Sequence, residues 1–114
     1  MTRGEVWWAL LTPPPMTSRA PHMVLLLSWD AGRGIRDRVT VAPITSRIRG
    51  LDAEVYLDEA DGMAHACVVN LDIVATILST TLDRRVTKLG DAKMREVERA
   101  IHRALGMRLP CAVR

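Results

Sequence analysis

The stretch Arg38-Val-Thr-Val-Ala-Pro-Ile44, which ends in Thr45-Ser46, decides the fold class of this chain. Its β-branched and aliphatic residues predict a strand that finishes at two hydroxyl side chains. Upstream, His22-Met-Val-Leu-Leu-Leu-Ser28 predicts a second strand, which is more deeply buried because most of its residues are apolar. Consecutive strands are usually neighbours in a sheet, so we expect these two strands to pair.

Further short strands are predicted on either side of this pair. They cover residues 5–11, 53–57, 65–71 and 73–78. Residues 12–21 are rich in proline, which lacks the amide hydrogen that a central strand requires. We therefore expect residues 12–21 to form a long, mobile loop within a single domain.

The last third of the sequence has helical periodicity. Ser79 or Thr80 is expected to cap a short helix that runs to about residue 85. Asp91 is expected to cap a final helix, which Gly106 stops after about residue 105. Apolar residues recur on one face of that helix: Met94, Val97, Ile101, Ala104 and Leu105. We expect this face to pack onto the sheet, although a partner-binding helix has the same pattern.

Several short strands followed by a closing helix predict a mainly β (α+β) fold. The expected architecture is a small, strongly bent sheet or partly open barrel, with a short helix and a C-terminal amphipathic helix. The 114 residues are enough for one compact domain with its own core. Residues 108–114 are expected to be a frayed tail.

Several kinds of site lack a signal in this sequence. Cys67 and Cys111 form no Cys-x-x-Cys pair, and neither a P-loop nor a Gly-x-Ser-x-Gly motif occurs, so we expect no metal and no cofactor. The apolar runs are too short to cross a bilayer, and the N-terminus lacks the features of a secretory signal. We expect a cytoplasmic protein without membrane association.

The charge pattern suits a polyanionic partner. The formal net charge is +3, and five arginines fall within a short central stretch: Arg33, Arg36, Arg38, Arg47 and Arg49. Such clustering is typical of a surface that contacts phosphates. Solvated loop charge explains the same pattern equally well, so charge alone does not decide between the two.

One group of residues has the chemistry needed to act on a phosphodiester. His22 begins one strand and Thr45-Ser46 ends its expected neighbour, so an imidazole and two hydroxyls are expected at one rim. RNA carries its own nucleophile, the 2′-hydroxyl, and a ribonuclease needs only proton transfer and charge stabilisation around the phosphate. Histidine titrates near neutral pH and serves in either proton role, although a structural histidine is the alternative.

Five short motifs, in this order, resemble those of the MazF/PemK toxins of type II toxin–antitoxin systems. They are Arg3-Gly-Glu-Val-Trp-Trp8, Ser28-Trp29-Asp30, Val41-Ala-Pro-Ile-Thr-Ser46, Gly62-Met63, and Thr81-Leu82 with Leu89-Gly90. The likeness covers about residues 3–107. It implies a single SH3-like, partly open barrel over residues 1–114 that works as a homodimer.

The resemblance also implies an activity. It implies metal-independent endoribonuclease cleavage of single-stranded RNA at a short motif, through a 2′,3′-cyclic phosphate. Messenger, ribosomal and transfer RNA all remain open as substrates. A cognate MazE-like antitoxin with an extended acidic segment is implied to block the RNA groove, which the loop at residues 12–21 borders.

The resemblance assigns site residues unevenly. Thr45 matches the family's catalytic threonine and is expected to stabilise the transition state. His22 stands where the family has an arginine, so we expect His22 to take the acid/base role. Arg19 is an alternative that reaches in from the loop, and weakened catalysis is a third possibility. The residues expected to bind RNA are Trp29, Arg33, Ser46, Arg47, Arg49 and His65, where Trp29 is a candidate for stacking on a base.

Two other functions compete with the endoribonuclease. A non-catalytic or weakly catalytic module of the same fold would bind RNA or an antitoxin, and the loss of the family arginine at His22 favours that reading. A toxin that acts on a protein target, as topoisomerase-poisoning relatives of this fold do, has no positive sequence feature here. Thr45-Ser46 and the nearby arginines favour the enzyme.

Overall fold

The computed structural model describes residues 2–10, 22–28 and 37–107. The described chain contains strands β1 Glu5–Ala9, β2 His22–Leu26, β3 Arg38–Thr45, β4 Glu54–Leu57, β5 Cys67–Asn70, β6 Ala75–Leu78 and β7 Leu82–Lys88. Two short 3-10 turns, Glu59–Asp61 and Ser79–Thr81, precede β5 and β7, and helix α1 spans Asp91–Ala104. The predicted loop at residues 12–21, the predicted tail at residues 108–114 and Cys111 lie outside the described residues.

All described strands belong to one antiparallel sheet with the order β4-β5-β3-β2-β1-β7. The predicted pairing of the second and third strands is confirmed, with Met23 opposite Ile44 and Leu26 opposite Val41. The other edge of β3 is shared: its first half pairs with β6 and its end pairs with β5. Strand β3 therefore pairs with three other strands, and this shared pairing bends the sheet into a partly open barrel.

Alternate residues of the strands form two apolar clusters on opposite faces of the sheet. Leu25 and Ile44 belong to the cluster that α1 covers, and the helix contributes Met94 and Val97 to it. Val24, one residue before Leu25, belongs to the second cluster, together with Ala9, Leu26, Val39, Val41 and Leu82. Burying each aliphatic side chain contributes about 1.5–3 kcal/mol, so both faces stabilise the sheet.

Helix α1 packs on the sheet through the predicted apolar face. Met94, Val97 and Ala100 are buried, and Ile101 and Ala104 pack against the same cluster. Leu105 does not, because the helix ends at Ala104 and the Leu105 side chain is 62% exposed. The N-cap is Gly90 and not Asp91, whose carboxylate instead lies in the first turn, where the helix dipole favours it.

The prediction of a short helix near residues 80–85 is wrong. Ser79–Thr81 form a single 3-10 turn, and Leu82–Lys88 continue as β7. This strand pairs with β1 along its length and buries Leu82 opposite Ala9. Backbone pairing and burial across the sheet outweigh the helical preference of the intervening charged residues.

Contacts to β2, to α1 and within the motif hold the N-terminal motif at the start of β1. Gly4 has a φ of 96° and donates its N–H to Leu26 O at 2.9 Å. Arg3 Nη2 lies 2.9 Å from the Glu98 carboxylate of α1, and Glu5 accepts a hydrogen bond from Trp7 Nε1 at 2.9 Å. Burial alone raises the pKa of Glu5, but hydrogen bonds from Trp7 and Thr2 bring this pKa below its ordinary value.

Residues 58–62 form a capped turn around the 3-10 segment Glu59–Asp61. Asp58 and Asp61 form a reciprocal capping box, and Gly62 ends the turn with a φ of 92°. A Cβ at Gly62 would overlap Thr87 Oγ1 and lie 2.9 Å from Thr87 Cβ. Glycine is therefore required here both for the backbone angle and for the space against β7.

Gly62→Ala is expected to lower the free energy of unfolding by about 2–4 kcal/mol, because left-handed backbone strain and overpacking against Thr87 add. Gly50→Ala is the matched control, since Gly50 also has a positive φ but a Cβ there meets nothing within 4 Å. That control is expected to cost about 1 kcal/mol. Urea unfolding of both variants tests this, and equal losses would contradict the packing argument.

Candidate functional site

The structure brings His22 and Thr45 together at one rim of the sheet. Met23 lies opposite Ile44, so the next residues outward along β2 and β3 are His22 and Thr45. Directly opposite residues of an antiparallel pair have Cα atoms about 5 Å apart and share a face. That face is opposite α1, because Ile44 points into the cluster that the helix covers.

One ring nitrogen of the His22 side chain is buried and has no hydrogen-bond partner among the described residues. This nitrogen is Nε2, and it is shielded from solvent. Leaving a buried polar atom unpaired costs about 1–3 kcal/mol, so such an atom is often kept for a ligand or a catalytic role. No described residue uses the hydrogen-bonding capacity of this nitrogen, which makes His22 a candidate site residue.

Thr45 ends β3 in a side-chain turn. Its Oγ1 accepts a hydrogen bond from Arg47 N at 3.1 Å, and this bond orients the hydroxyl and turns the chain out of the sheet. The hydroxyl hydrogen is then available to donate to an anionic oxygen. Ser46, Arg47 and Arg49 follow directly and are exposed.

The loop that carries these arginines is anchored by Glu54 at the start of β4. Glu54 Oε1 accepts hydrogen bonds from three successive backbone N–H groups, those of Arg49 at 3.0 Å, Gly50 at 2.9 Å and Leu51 at 3.3 Å. A single carboxylate oxygen therefore fixes the backbone of the loop, while the two arginine side chains project into solvent.

The other predicted site residues are not grouped with His22 and Thr45 in the described part of the chain. His65 is exposed in the loop before β5, because that strand begins at Cys67 and not at His65 as predicted. Arg19, Trp29, Arg33 and Arg36 lie outside the described residues.

Tyr56 is a surface feature that the sequence interpretation did not include in the site. It lies opposite Val68 on β5, and Val68 lies opposite Thr45, so the three side chains share one face. Tyr56 is 48% exposed, and an aromatic ring at such a position offers a surface for stacking. The sequence did contain a signal for this position. Residues 53–57 alternate between apolar and polar, so Tyr56 lies on the face of β4 away from the buried Val55 and Leu57.

The described part of the chain contains one cysteine, Cys67, which faces the core. Burial, with Asp61 and Asp58 nearby, raises the pKa of the Cys67 thiol, so this cysteine is a core residue. No three histidine, cysteine or carboxylate side chains in residues 2–10, 22–28 and 37–107 are grouped as metal ligands. Over the same residues, no helix is long and apolar enough to span a membrane.

Comparison with known proteins decides the family. The sequence model of the PemK-like, MazF-like toxins of type II toxin–antitoxin systems matches residues 2–105. This chain belongs to the PemK/MazF family. The resemblance predicted from the five motifs is confirmed.

The PemK/MazF relatives match nearly the whole chain. The probable endoribonuclease MazF5 of Mycobacterium tuberculosis is 38% identical over 104 residues, which are 90% of this chain and 91% of that protein. The probable endoribonuclease MazF2 of the same species is 31% identical over 107 residues, which are 93% of this chain and 99% of that protein.

Solved structures of PemK/MazF proteins have the same fold. The Mycobacterium tuberculosis toxin MazF-mt6 superposes with a TM-score of 0.79 at 30% identity, covering 92% of this chain and 99% of that one. A mycobacterial endoribonuclease in complex with its cognate antitoxin also gives 0.79, at 21% identity and 96% and 99% coverage. The prediction of a mainly β, partly open barrel with a C-terminal helix is confirmed.

Glu54→Ala is expected to release the loop at residues 46–51, because three backbone N–H groups lose their acceptor. Amide hydrogen exchange at Arg49, Gly50 and Leu51 is expected to accelerate at least about tenfold. Glu54→Gln keeps a side-chain oxygen that accepts and serves as the control, with exchange close to that of the unchanged protein. If the three amides of Glu54→Ala exchanged as slowly as those of the unchanged protein, the anchoring role of Glu54 would be contradicted.

Proposed function

We propose that this chain is a toxin endoribonuclease that cleaves single-stranded RNA at a short sequence motif. The single observation that carries the proposal is the juxtaposition of a buried His22 imidazole nitrogen, unpartnered among the described residues, with the hydroxyl of Thr45 at the end of β3. Membership of a family whose relatives are named endoribonucleases supports the reaction class. The RNA class and the motif are open.

In the proposed reaction the RNA supplies the nucleophile. Its 2′-hydroxyl oxygen bonds to the adjacent phosphorus, the bond from phosphorus to the 5′-oxygen breaks, and a 2′,3′-cyclic phosphate remains. The 2′-hydroxyl proton passes to a base and the leaving 5′-oxygen receives a proton, so the step needs no metal ion. His22 exchanges these protons, with Arg19 as the alternative residue for this role.

Charge on the phosphorane oxygens is stabilised by Thr45 and by the residues that follow it. The Thr45 hydroxyl, oriented by its bond from Arg47 N, donates to a non-bridging oxygen. Ser46, Arg47 and Arg49 bind the neighbouring phosphates. We add Tyr56 as a stacking surface for a base, alongside the RNA-binding roles proposed for Trp29, Arg33 and His65.

We propose two protein partners and a location. One partner is a MazE-like antitoxin whose extended acidic segment covers the RNA groove; a MazE–MazF complex of Deinococcus radiodurans is among the structures with this fold. The other is a second copy of the chain. Exposed apolar residues around the end of α1 and the start of β6 suit a homodimer contact: Ile73, Val74, Leu105 and Met107. The proposed location is the cytoplasm.

The alternative function is a non-catalytic or weakly catalytic module that binds RNA or an antitoxin. The observation in its favour is the histidine at residue 22, where the family resemblance implies an arginine. An arginine guanidinium stays charged at every physiological pH, whereas an imidazole does not, so the substitution changes the electrostatics of the site.

Cleavage of a mixed RNA pool in EDTA tests the proposed function. We expect cuts at one short motif that leave cyclic phosphates, and Thr45→Ala is expected to reduce the rate by about 100-fold or more because it removes a transition-state donor. Sequencing of the new ends gives the motif. Cleavage no faster than that of the Thr45→Ala variant would instead support the binding module.

His22→Ala is expected to lower the cleavage rate by about 100–10,000-fold, the usual contribution of a general acid or base. Because Nε2 has no partner to lose among the described residues, the free energy of unfolding of the same variant is expected to lie within about 1 kcal/mol of that of the unchanged protein. Arg19→Ala is the companion variant and is expected to keep most activity. Loss of cleavage in Arg19→Ala with retention in His22→Ala would move the proton-transfer role to the loop.

A further inference from the structure

Three arginines line an open groove between α1 and β4. Arg95, Arg99 and Arg103 follow one another at four-residue spacing and therefore lie along one side of the helix. Together with Glu54 and Val55 of β4 they border a space of about 580 Å³, here called the α1 groove. Its three arginines have no part in the site at Thr45.

The guanidinium groups of the α1 groove have no ion-pair partner within the described chain. Two carboxylates that border the groove make other contacts: Glu96 lies 3.6 Å from Lys93, and Glu54 accepts the three backbone bonds of the loop. Glu98 borders a neighbouring cavity with Arg95 and Asp91, and it pairs with Arg3. Three adjacent cations without a neutralising partner form a surface that attracts anions.

The α1 groove is continuous with the candidate cleavage site through the loop at residues 46–53. Thr45 leads directly into Arg47 and Arg49, and the loop is then fastened to Glu54, which itself borders the groove. Arg103 also borders the adjoining cavity beside Leu51, together with Asp52 and Asp72. Five arginines thus form a basic path from one face of the sheet, around the β4 edge, to the other face.

The groove suits the backbone of a nucleic acid better than a protein segment. Four helical residues rise about 6 Å, so successive guanidinium groups repeat at an interval that suits a strand of evenly spaced phosphates. The apolar residues that border it are small, namely Val55, Ala92 and Ala100. A protein partner normally inserts a large aromatic or aliphatic anchor into a deep pocket, and this open groove offers none among its described lining.

We propose that the α1 groove is a second RNA-binding surface that holds the phosphates of RNA flanking the cleavage site, without reading its sequence. This inference rests on the proposed function and deepens it, because it makes the substrate a strand long enough to pass around the β4 edge. Short oligonucleotides occupy only the rim at Thr45, whereas long ones also gain the contacts to Arg95, Arg99 and Arg103.

Binding of uncleavable RNA of two lengths tests the proposal. The probes are labelled 2′-O-methyl oligonucleotides of mixed sequence, about 8 and about 24 nucleotides long, titrated by fluorescence anisotropy at several salt concentrations. Arg99→Gln/Arg103→Gln is expected to weaken binding of the long probe about tenfold and to reduce its salt slope by about 1.4. Binding of the short probe is expected to stay unchanged.

The matched control removes the same charge from the far edge of the sheet. Arg84→Gln/Arg85→Gln changes two exposed arginines on β7, at the opposite end of the strand order from β4. It is expected to bind both probes as the unchanged protein does. Equal losses in test and control variants would overturn the proposal, as would equal losses for the long and short probes.

Competition with poly-glutamate distinguishes RNA from an acidic polypeptide as the occupant of the α1 groove. One result would overturn the choice of RNA. In that result poly-glutamate displaces the long probe from the unchanged protein but does not displace it from the Arg99→Gln/Arg103→Gln variant. The probes lack the reacting 2′-hydroxyl, so the binding result does not depend on cleavage. Failure of the proposed function would appear in the EDTA cleavage assay, whereas failure of the second RNA-binding surface appears only in the length dependence.

Discussion

The backbone pairing of β3 is the constraint on which the rest of the structure depends. One edge of this strand bonds to β2, while its other edge is divided between β6 and β5. Since a strand presents hydrogen-bonding groups on both edges, sharing one edge between two partners forces those partners to diverge and the sheet to bend. The two apolar clusters, the barrel-like curvature and the exposed end of β3 at Thr45 all follow from this arrangement.

The proposed functional chemistry lies where this strand stops. Side chains alternate along β2 and β3, so the register that buries Leu25 and Ile44 beneath α1 also turns His22 and Thr45 to the opposite face. A shift of both strands by one residue would turn the His22 and Thr45 side chains into the core. The core and the candidate site are therefore specified by the same register, and the bond from Arg47 N to Thr45 Oγ1 then directs the chain toward β4.

Much of the architecture was predictable from local patterns because those patterns have a direct physical cause. Apolar runs in β2 and β3, alternation in β4 and helical spacing in α1 record which faces are buried. The interpretation of β7 was wrong because its charged residues are compatible with a helix, and only pairing with β1 makes them a strand. At the candidate site, the sequence predicted Thr45 and His22, whereas Tyr56 was not included because its place on the same face depends on the pairing of both strands with Val68.

By itself, the sequence determined the fold class, the family and the residue types that cleavage of a phosphodiester needs, since these depend on composition, periodicity and motif order. Only the tertiary structure decided that Nε2 of His22 is buried without a partner among the described residues, and that Glu54, which anchors the loop after Thr45, also borders the groove lined by the arginines of α1. Solvent shielding and contacts between distant segments arise when strands and helix pack together, and no local pattern encodes them.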